Sequence, residues 1–335
     1  MRIPLYPMAL RPLYVERVWG GGAVFRALGR KRPEGASPIG ESWEISAYPG
    51  AESVVKNGPL RSLSLGRVVA LDPSAVLGRA VARASGGAMP LLVKYVAAED
   101  DLSIQVHPDD AAAARLEGEP RGKTEAWHVV AARKGAAIWV GLKTGAVRNR
   151  RHLADLARTG RIARVLKKFR VAPGETYFLP AGTVHAIGRG VVVLEVQQSS
   201  DRTYRLFDWN RTGLDGRPRP LHVDKAARVA DLSGRRGGGL VERRRLEAGR
   251  ELLVSCPEFT VEKWCVPARR AILRTLEGRF LVLAVLRGEA RIRAGARSVR
   301  AERGESILVP AGCGAVAVDG PARGSRAAAI VAVTP

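Results

Sequence analysis

The spacing of apolar and polar positions changes several times along the chain, and each change predicts a different element. Up to about residue 57 the apolar residues come in short β-prone runs, at 15–19, 42–46 and 51–56, cut by Gly and Pro. These read as edge and connecting strands. Gly20-Gly21-Gly22 reads as a turn and not as a phosphate cradle, because no Lys-Ser/Thr pair and no helix start follows it. From Pro59 to Ser85 the apolar positions Leu65, Val68, Val69, Leu71, Val76 and Leu77 recur at helical spacing. Residues 89–96, MPLLVKYV, read as a buried strand. In LSIQVHPDD, residues 102–110, strict alternation puts Ser103, Gln105 and His107 on one face and Leu102, Ile104 and Val106 on the other. Pro108-Asp109-Asp110 then opens an Ala-rich helix, with Pro in its first turn and acids near its positive end. Gly122-Lys123-Thr124-Glu125 leads into a strand at 126–130, where Lys123 and Glu125 share a face. Residues 141–171 carry helical periodicity through Leu153, Leu156, Ile162, Val165 and Leu166, broken at Gly160. Residues 191–196 are an unbroken apolar strand containing Glu195. From about residue 248 the pattern is almost wholly β, with runs at 252–256, 259–266, 280–286, 290–294, 306–309, 315–318 and 327–333.

Composition narrows the class. The chain has 335 residues, room for two domains, and at 46% hydrophobic and 26% charged it is a globular sequence. No apolar run is long enough to span a membrane. The N-terminal segment is interrupted by Pro4, Pro7, Arg11 and Pro12, unlike a signal peptide. Cys256, Cys265 and Cys313 are widely spaced with no CxxC, which argues for a reducing cytoplasm with neither a disulfide framework nor a thiolate zinc site. The net charge of +23 admits nucleic acid or a phosphorylated ligand as partner. The basic residues are nevertheless dispersed, and aromatics make up only 5%, which argues against a nucleic-acid surface.

The most informative stretch is 171–187, VAPGETYFLPAGTVHAI. A Gly-Glu turn, a short strand and a Pro-Ala-Gly corner lead to His185. The spacing G-E-x4-P-x-G-x2-H resembles the second metal motif of the cupin superfamily, in which the corner lets the next strand aim an imidazole into a barrel mouth. A gapless repeat follows: GETYFLPAGTVHA at 174–186 aligns with GESILVPAGCGAV at 304–316. The second copy keeps the turn and the corner but has Ala315 where the first has His185. The expected fold is therefore mainly β: two cupin-like (jelly-roll) β-barrels with a small helical insertion in the first. Residues 1–240 would form the metal-binding catalytic domain. Residues 241–335 would form a barrel without metal ligands, and the Gly/Arg-rich run 231–245 would mark the division.

Gln105, His107, Glu125 and His185 form the candidate ligand set. Two imidazoles, a carboxylate and an amide oxygen suit a zinc-like divalent ion with an open position, and also iron, manganese or nickel. Each has a plain alternative: Gln105 as an ordinary barrel residue, His107 as a helix cap, Glu125 as the partner of Lys123. His128, His152 and His222 fall outside these patterns and read as structural or surface residues.

LSIQVHPDD, GKTEAW, LPAGTVHAIG and QQSSDRTYRLFDWNR together resemble the class I, cupin-type mannose-6-phosphate isomerases, in particular the shorter bacterial form. YVERVWGG, GESWEIS, SVVKNG and PLLVKYV extend the likeness over residues 1 to about 230. The resemblance implies one zinc ion per chain on Gln105, His107, Glu125 and His185, and an active-site arginine at Arg205. It also implies a phosphosugar pocket lined by Lys94, Ser103 and Lys123, and an acidic site residue at Glu195. The implied reaction is aldose–ketose isomerisation between mannose 6-phosphate and fructose 6-phosphate through a cis-enediol. Lys123 and Arg205 would then stabilise charge, and Glu195, or a metal-bound water, would act as base. The implied state is a cytoplasmic monomer or homodimer. A cupin dioxygenase and a non-enzymatic sugar-phosphate-binding cupin are the competing readings.

Overall fold

The structure is a computed structural model that describes residues 3–35, 37–235 and 238–335. It is mainly β and its architecture is that of cupins. One seven-stranded antiparallel sheet runs Gly239–Leu240, Thr176–Leu179, Glu125–Ala132, Val191–Gln198, Leu91–Ala97, Ile39–Ile45, Leu13–Gly21. A five-stranded sheet runs Leu166–Arg170, Ala137–Leu142, His185–Ile187, Ile104–Val106, Tyr204–Phe207. The C-terminal part repeats the arrangement with one sheet of eight strands and one of four.

The eight-stranded sheet is not built from C-terminal residues alone. Met8–Arg11 pairs with Ser306–Val309, and Val54–Val55 pairs with Met8–Arg11 in turn. The N-terminal strand thus crosses the division drawn at residue 240, and Arg236 and Gly237 in the boundary run lie outside the described residues. An apolar cluster that includes Met8, Tyr95, Leu194, Phe280 and Val331 joins the two parts in one continuous core. Fully burying each such side chain contributes about 1.5–3 kcal/mol.

Several expected elements differ. The helical stretch 59–85 is three short helices, Leu65–Leu71, Pro73–Leu77 and Arg79–Ala84. Pro73, with Asp72 capping Ala75 N–H at 2.9 Å, restarts the helix, and Gly78 at φ +94 ends it. In 141–171 only Arg150–Arg158 is α-helical. Leu166 opens a strand paired with Ala137–Leu142, so apolar spacing carried over from the helix had disguised a β edge. A six-residue helix, Ala23–Leu28, does start after Gly22, contrary to the reading of that glycine run. The Gly22 N–H there donates to Glu99 Oε1 at 3.2 Å, so a carboxylate already sits at that helix end. Pro108 precedes the cap Asp109 of the helix Asp110–Glu117 instead of lying in its first turn.

Candidate metal centre and active site

Three elements bring the ligand set together. Leu179 stands opposite Glu125, and His185 stands opposite both Gln105 and Val140. Register puts such pairs on one face. The Pro-Ala-Gly corner is tied in at its tip: Gly182 has φ +88, and its N–H donates to His107 O at 2.9 Å. Gly122 does the same for the neighbouring turn. A Cβ there would lie 2.4 Å from Pro108 O, so only glycine lets Lys123 N–H reach that carbonyl at 2.9 Å and sets Lys123 beside His107.

The ligand atoms of His107, Glu125 and His185 all lie within 4.8 Å of one another, and the three side chains are buried. Each imidazole donates through Nδ1 to a backbone carbonyl, His107 to Arg202 O and His185 to Thr183 O, both at 2.8 Å. That leaves the Nε2 lone pairs on the side of Glu125, at 3.6 and 3.3 Å, with Lys123 Nζ also 3.2 Å from the His107 Nε2. Burial, with Lys123 and each other's proximity, keeps His107 far below its ordinary range, and burial takes His185 down to about 4. Both are neutral imidazoles, the form that ligates. Gln105 adds its amide 3.3 Å from His185 Nε2 and accepts from Ser103 Oγ at 3.0 Å. Neither oxygen of Glu125 accepts a well-directed hydrogen bond, although Lys123 Nζ lies 2.9 Å from Oε2. Burial and the nearby Glu195 charge raise its pKa. A buried carboxylate with Lys123 on one side, set between two neutral imidazoles, fits a divalent cation of the zinc type.

Above this cluster, charges alternate. Lys94 Nζ lies 3.2 Å from Glu41 Oε2 and 3.3 Å from Glu195 Oε1, and Lys123 Nζ lies 3.4 Å from Glu195 Oε1. Trp127 Nε1–H donates to Glu195 Oε2 at 2.8 Å. Burial opposes ionisation of Glu195, but Lys123 and Lys94 outweigh it and hold the carboxyl below the usual range. Its Oε1 accepts no well-directed hydrogen bond, with the two ammonium groups 3.3 and 3.4 Å away. Glu41 is held ionised in the same way, burial being outweighed by Lys94 and Arg17.

The cluster opens into a cavity of about 760 Å³, whose wall includes Lys94, Ser103, Gln105, Lys123, Glu195 and Arg205. Arg205 faces Gln105 in register, yet its guanidinium makes no hydrogen bond or ion pair among the described residues. Burial and Arg219 lower its pKa. Arg202, by contrast, is taken up by Glu119, with Nε at 2.7 Å.

All the residues singled out from the sequence therefore meet at one place. The residues missed are Arg17, Glu41 and Trp19, which close the cavity from the N-terminal strands, and His222, expected as a structural or surface residue but found on the cavity wall beside Arg205. The ion pair of half-buried Arg17 with buried Glu41, with Nε–Oε1 at 2.8 Å, carries no spacing motif that would have revealed it. His128 is buried on Thr176 Oγ1 at 2.9 Å, and His152 takes the Arg148 N–H at a helix start, both away from the site.

Comparison with known proteins gives a consistent family. Residues 8–128 match the family described as the catalytic domain of type I phosphomannose isomerase, and residues 250–328 match the mannose-6-phosphate isomerase cupin domain. A mannose-6-phosphate isomerase of Streptococcus mutans is 35% identical over 91% of this chain and 92% of its own. One of Bacillus subtilis strain 168 is 32% identical over 94% and 96%. The crystal structure of the mannose 6-phosphate isomerase from Bacillus subtilis superposes with a TM-score of 0.84 at 28% identity, covering 98% of this chain and 99% of that one.

Proposed function

The chain belongs to the type I phosphomannose isomerases, and on that premise we propose that it interconverts mannose 6-phosphate and fructose 6-phosphate with one zinc ion held by Gln105, His107, Glu125 and His185. The observation that carries this reading is the meeting, in one cavity, of a ligand cluster with unsatisfied oxygens and an arginine without a partner. An ion held by these residues would supply a Lewis acid for the charge that develops on the sugar. The protein's own residues do the rest. Glu195 removes the C2 proton, which is acidic because it lies α to the aldehyde, and returns it to C1 of the cis-enediol. A proton moves from O2 to O1 in the same interval, so the ketose forms with no net loss. Lys123, between Glu125 and Glu195, donates to the oxygen on which charge develops. Lys94 holds Glu195 ionised and Trp127 fixes its orientation. Ser103 orients Gln105, and Arg205 takes charge on the substrate.

Charge supports the pairing of ion and substrate. Glu41, Glu125 and Glu195 face Arg17, Lys94 and Lys123, and Arg205 adds a cation without a partner on the same cavity wall. A divalent cation beside the carboxylates and an anionic phosphate beside Arg205 would each meet opposite charge. A coupled isomerase assay on the purified chain tests the proposal: mannose 6-phosphate should be converted, conversion should stop on chelation, and zinc should restore it. No conversion by the zinc-loaded chain would refute it.

A further inference from the structure

Four side chains stand in one row across the five-stranded sheet and its margin. His185 faces Gln105 in register, and Gln105 faces Arg205. Arg205 is joined to His222 by two hydrogen bonds: the His222 N–H donates to Arg205 O at 2.8 Å, and the Arg205 N–H donates to His222 Nδ1 at 3.3 Å. All four border the same cavity. Strands lie about 4.8 Å apart, so Arg205 stands two strands, and His222 three, from the histidine of the ligand cluster. A six-carbon sugar with its C1–C2 end at His185, if laid along this row, would bring its terminal phosphate toward Arg205.

The hydrogen bond to Nδ1 settles which imidazole nitrogen carries the proton. A backbone amide only donates, so Nδ1 accepts and the proton of the neutral ring sits on Nε2. Burial, with the charges of Arg205 and Lys225, keeps the ring in its neutral form, against a smaller opposing pull from Glu117. The other cations on this wall are committed. Lys225 Nζ is 2.7 Å from Glu117 Oε1, Arg219 Nε is 2.7 Å from Asp208 Oδ2, and Arg202 is held by Glu119. Arg205 and His222 Nε2 have no such partner among the described residues.

We infer that His222 is a substrate-binding residue, a neutral Nε2–H donor that takes the substrate's phosphate together with Arg205. This rests on the phosphosugar reading above. A neutral donor adds a directed hydrogen bond without adding charge, so it selects the position of the phosphate where Arg205 supplies the attraction.

Steady-state kinetics of the full-length His222→Asn and His222→Gln variants test the assignment. Asn keeps an acceptor near Nδ1 for the Arg205 N–H but has nothing at Nε2, whereas Gln carries an amide N–H to that position. The Asn variant should raise KM for mannose 6-phosphate by about tenfold or more, the effect of losing one hydrogen bond to a charged group, and leave kcat within about twofold. Inhibition by inorganic phosphate should weaken by a similar factor, and the Gln variant should recover most of both. Unchanged KM and phosphate inhibition in the Asn variant overturn the inference. So does a fall in kcat alone, which would place His222 at the reacting carbons and not at the phosphate. Should the Asn variant not fold, the ¹⁵N resonance of His222 Nε2 in the wild-type protein decides: it should shift on adding inorganic phosphate, and a static resonance overturns the inference. A wild-type chain without isomerase activity would instead overturn the proposed function, so the two failures are distinct.

Discussion

The Pro-Ala-Gly corner occurs twice in this chain, and the two copies show what separates a site from a scaffold. Both make the same turn. Thr183 N–H donates to Pro180 O at 3.1 Å in the first, and Cys313 N–H to Pro310 O at 3.0 Å in the second. The strand pairings correspond as well. Leu179 faces Glu125, and the equivalent Val309 faces Leu281; His185 faces Gln105, and the equivalent Ala315 faces Thr275. Thr275, Leu281 and Ala315 thus occupy the positions held in the first copy by Gln105, Glu125 and His185. Leu281 is buried in an apolar cluster with Trp264, Val285 and Ile330. At the first corner the chain opens into the cavity. At the second, a Cβ on Gly312 would come within 2.4 Å of Leu5 Cδ1 and 3.1 Å of Ala75 O, much as one on Gly182 would come within 3.0 Å of Val229 O, so chain packs over both corner tips. The two corners differ in the side chains presented by the strands beside them, polar and lining a cavity at the first, apolar and buried at the second.

Converting the first corner into the second is the strongest perturbation. His185→Ala installs the residue of the second copy, and isomerase activity should fall by about three orders of magnitude or more, since the Lewis acid is lost with its ligand. Far-UV circular dichroism should show the fold retained. Activity within tenfold of wild type would break the comparison.

Arg205 has no counterpart role at the second corner, and Arg205→Ala should raise KM for mannose 6-phosphate about a hundredfold, with a smaller fall in kcat, because the group that attracts the phosphate is lost. Arg205→Lys should rescue only part, because a point charge lacks the planar fork. The ion should stay bound in both. A lowered kcat with unchanged KM would instead place Arg205 at the charge that develops on the reacting carbons.

The glycines separate architecture from function. Gly182→Ala forces a side chain onto φ +88 and to 3.0 Å from Val229 O, and should cost about 1–3 kcal/mol of stability while also weakening metal retention. Gly312→Ala should cost about 1–3 kcal/mol by overpacking and leave kcat/KM unchanged. Thermal denaturation with parallel assays reads both; equal effects on activity would remove the distinction.

The smallest effect concerns Glu262 in the C-terminal part, which accepts from Arg250 Nε at 2.8 Å and Trp264 Nε1 at 2.7 Å. Burial opposes its ionisation, but these donors outweigh it and depress its pKa. Its stabilisation is therefore present above the unfolded value of about 4.3 and lost as pH falls through the folded value. Glu262→Gln should cost about 1 kcal/mol at pH 7, and the difference should vanish in acid, with activity unaffected. A difference that grows on acidification would reverse the sign of the argument.

The candidate ligand positions were legible in the sequence because inward-facing positions of a strand recur every second residue, and Gln105 and His107 keep that period. His185 was legible because a Pro-Gly corner announces a strand start. Strands without an apolar rhythm escaped: Arg297–Glu302 is mostly exposed and charged, and only its pairing with Glu289–Ala294 makes it a strand. Ala137–Leu142 and Leu166–Arg170 flank a helix whose spacing masked them. His222 escaped for another reason. It lies seventeen residues beyond Arg205, across a loop, and nothing local links the two until their backbones pair. The pairing of Met8–Arg11 with Ser306–Val309 is likewise a long-range event that no local pattern records.

Counting zinc per chain tests the central claim most directly. Elemental analysis of the purified wild-type chain and of His185→Ala, after dialysis against excess zinc and gel filtration, should give one ion and none. Two ions in the wild type, or one retained in the variant, would contradict the account, because the metal would then be held somewhere other than the first corner.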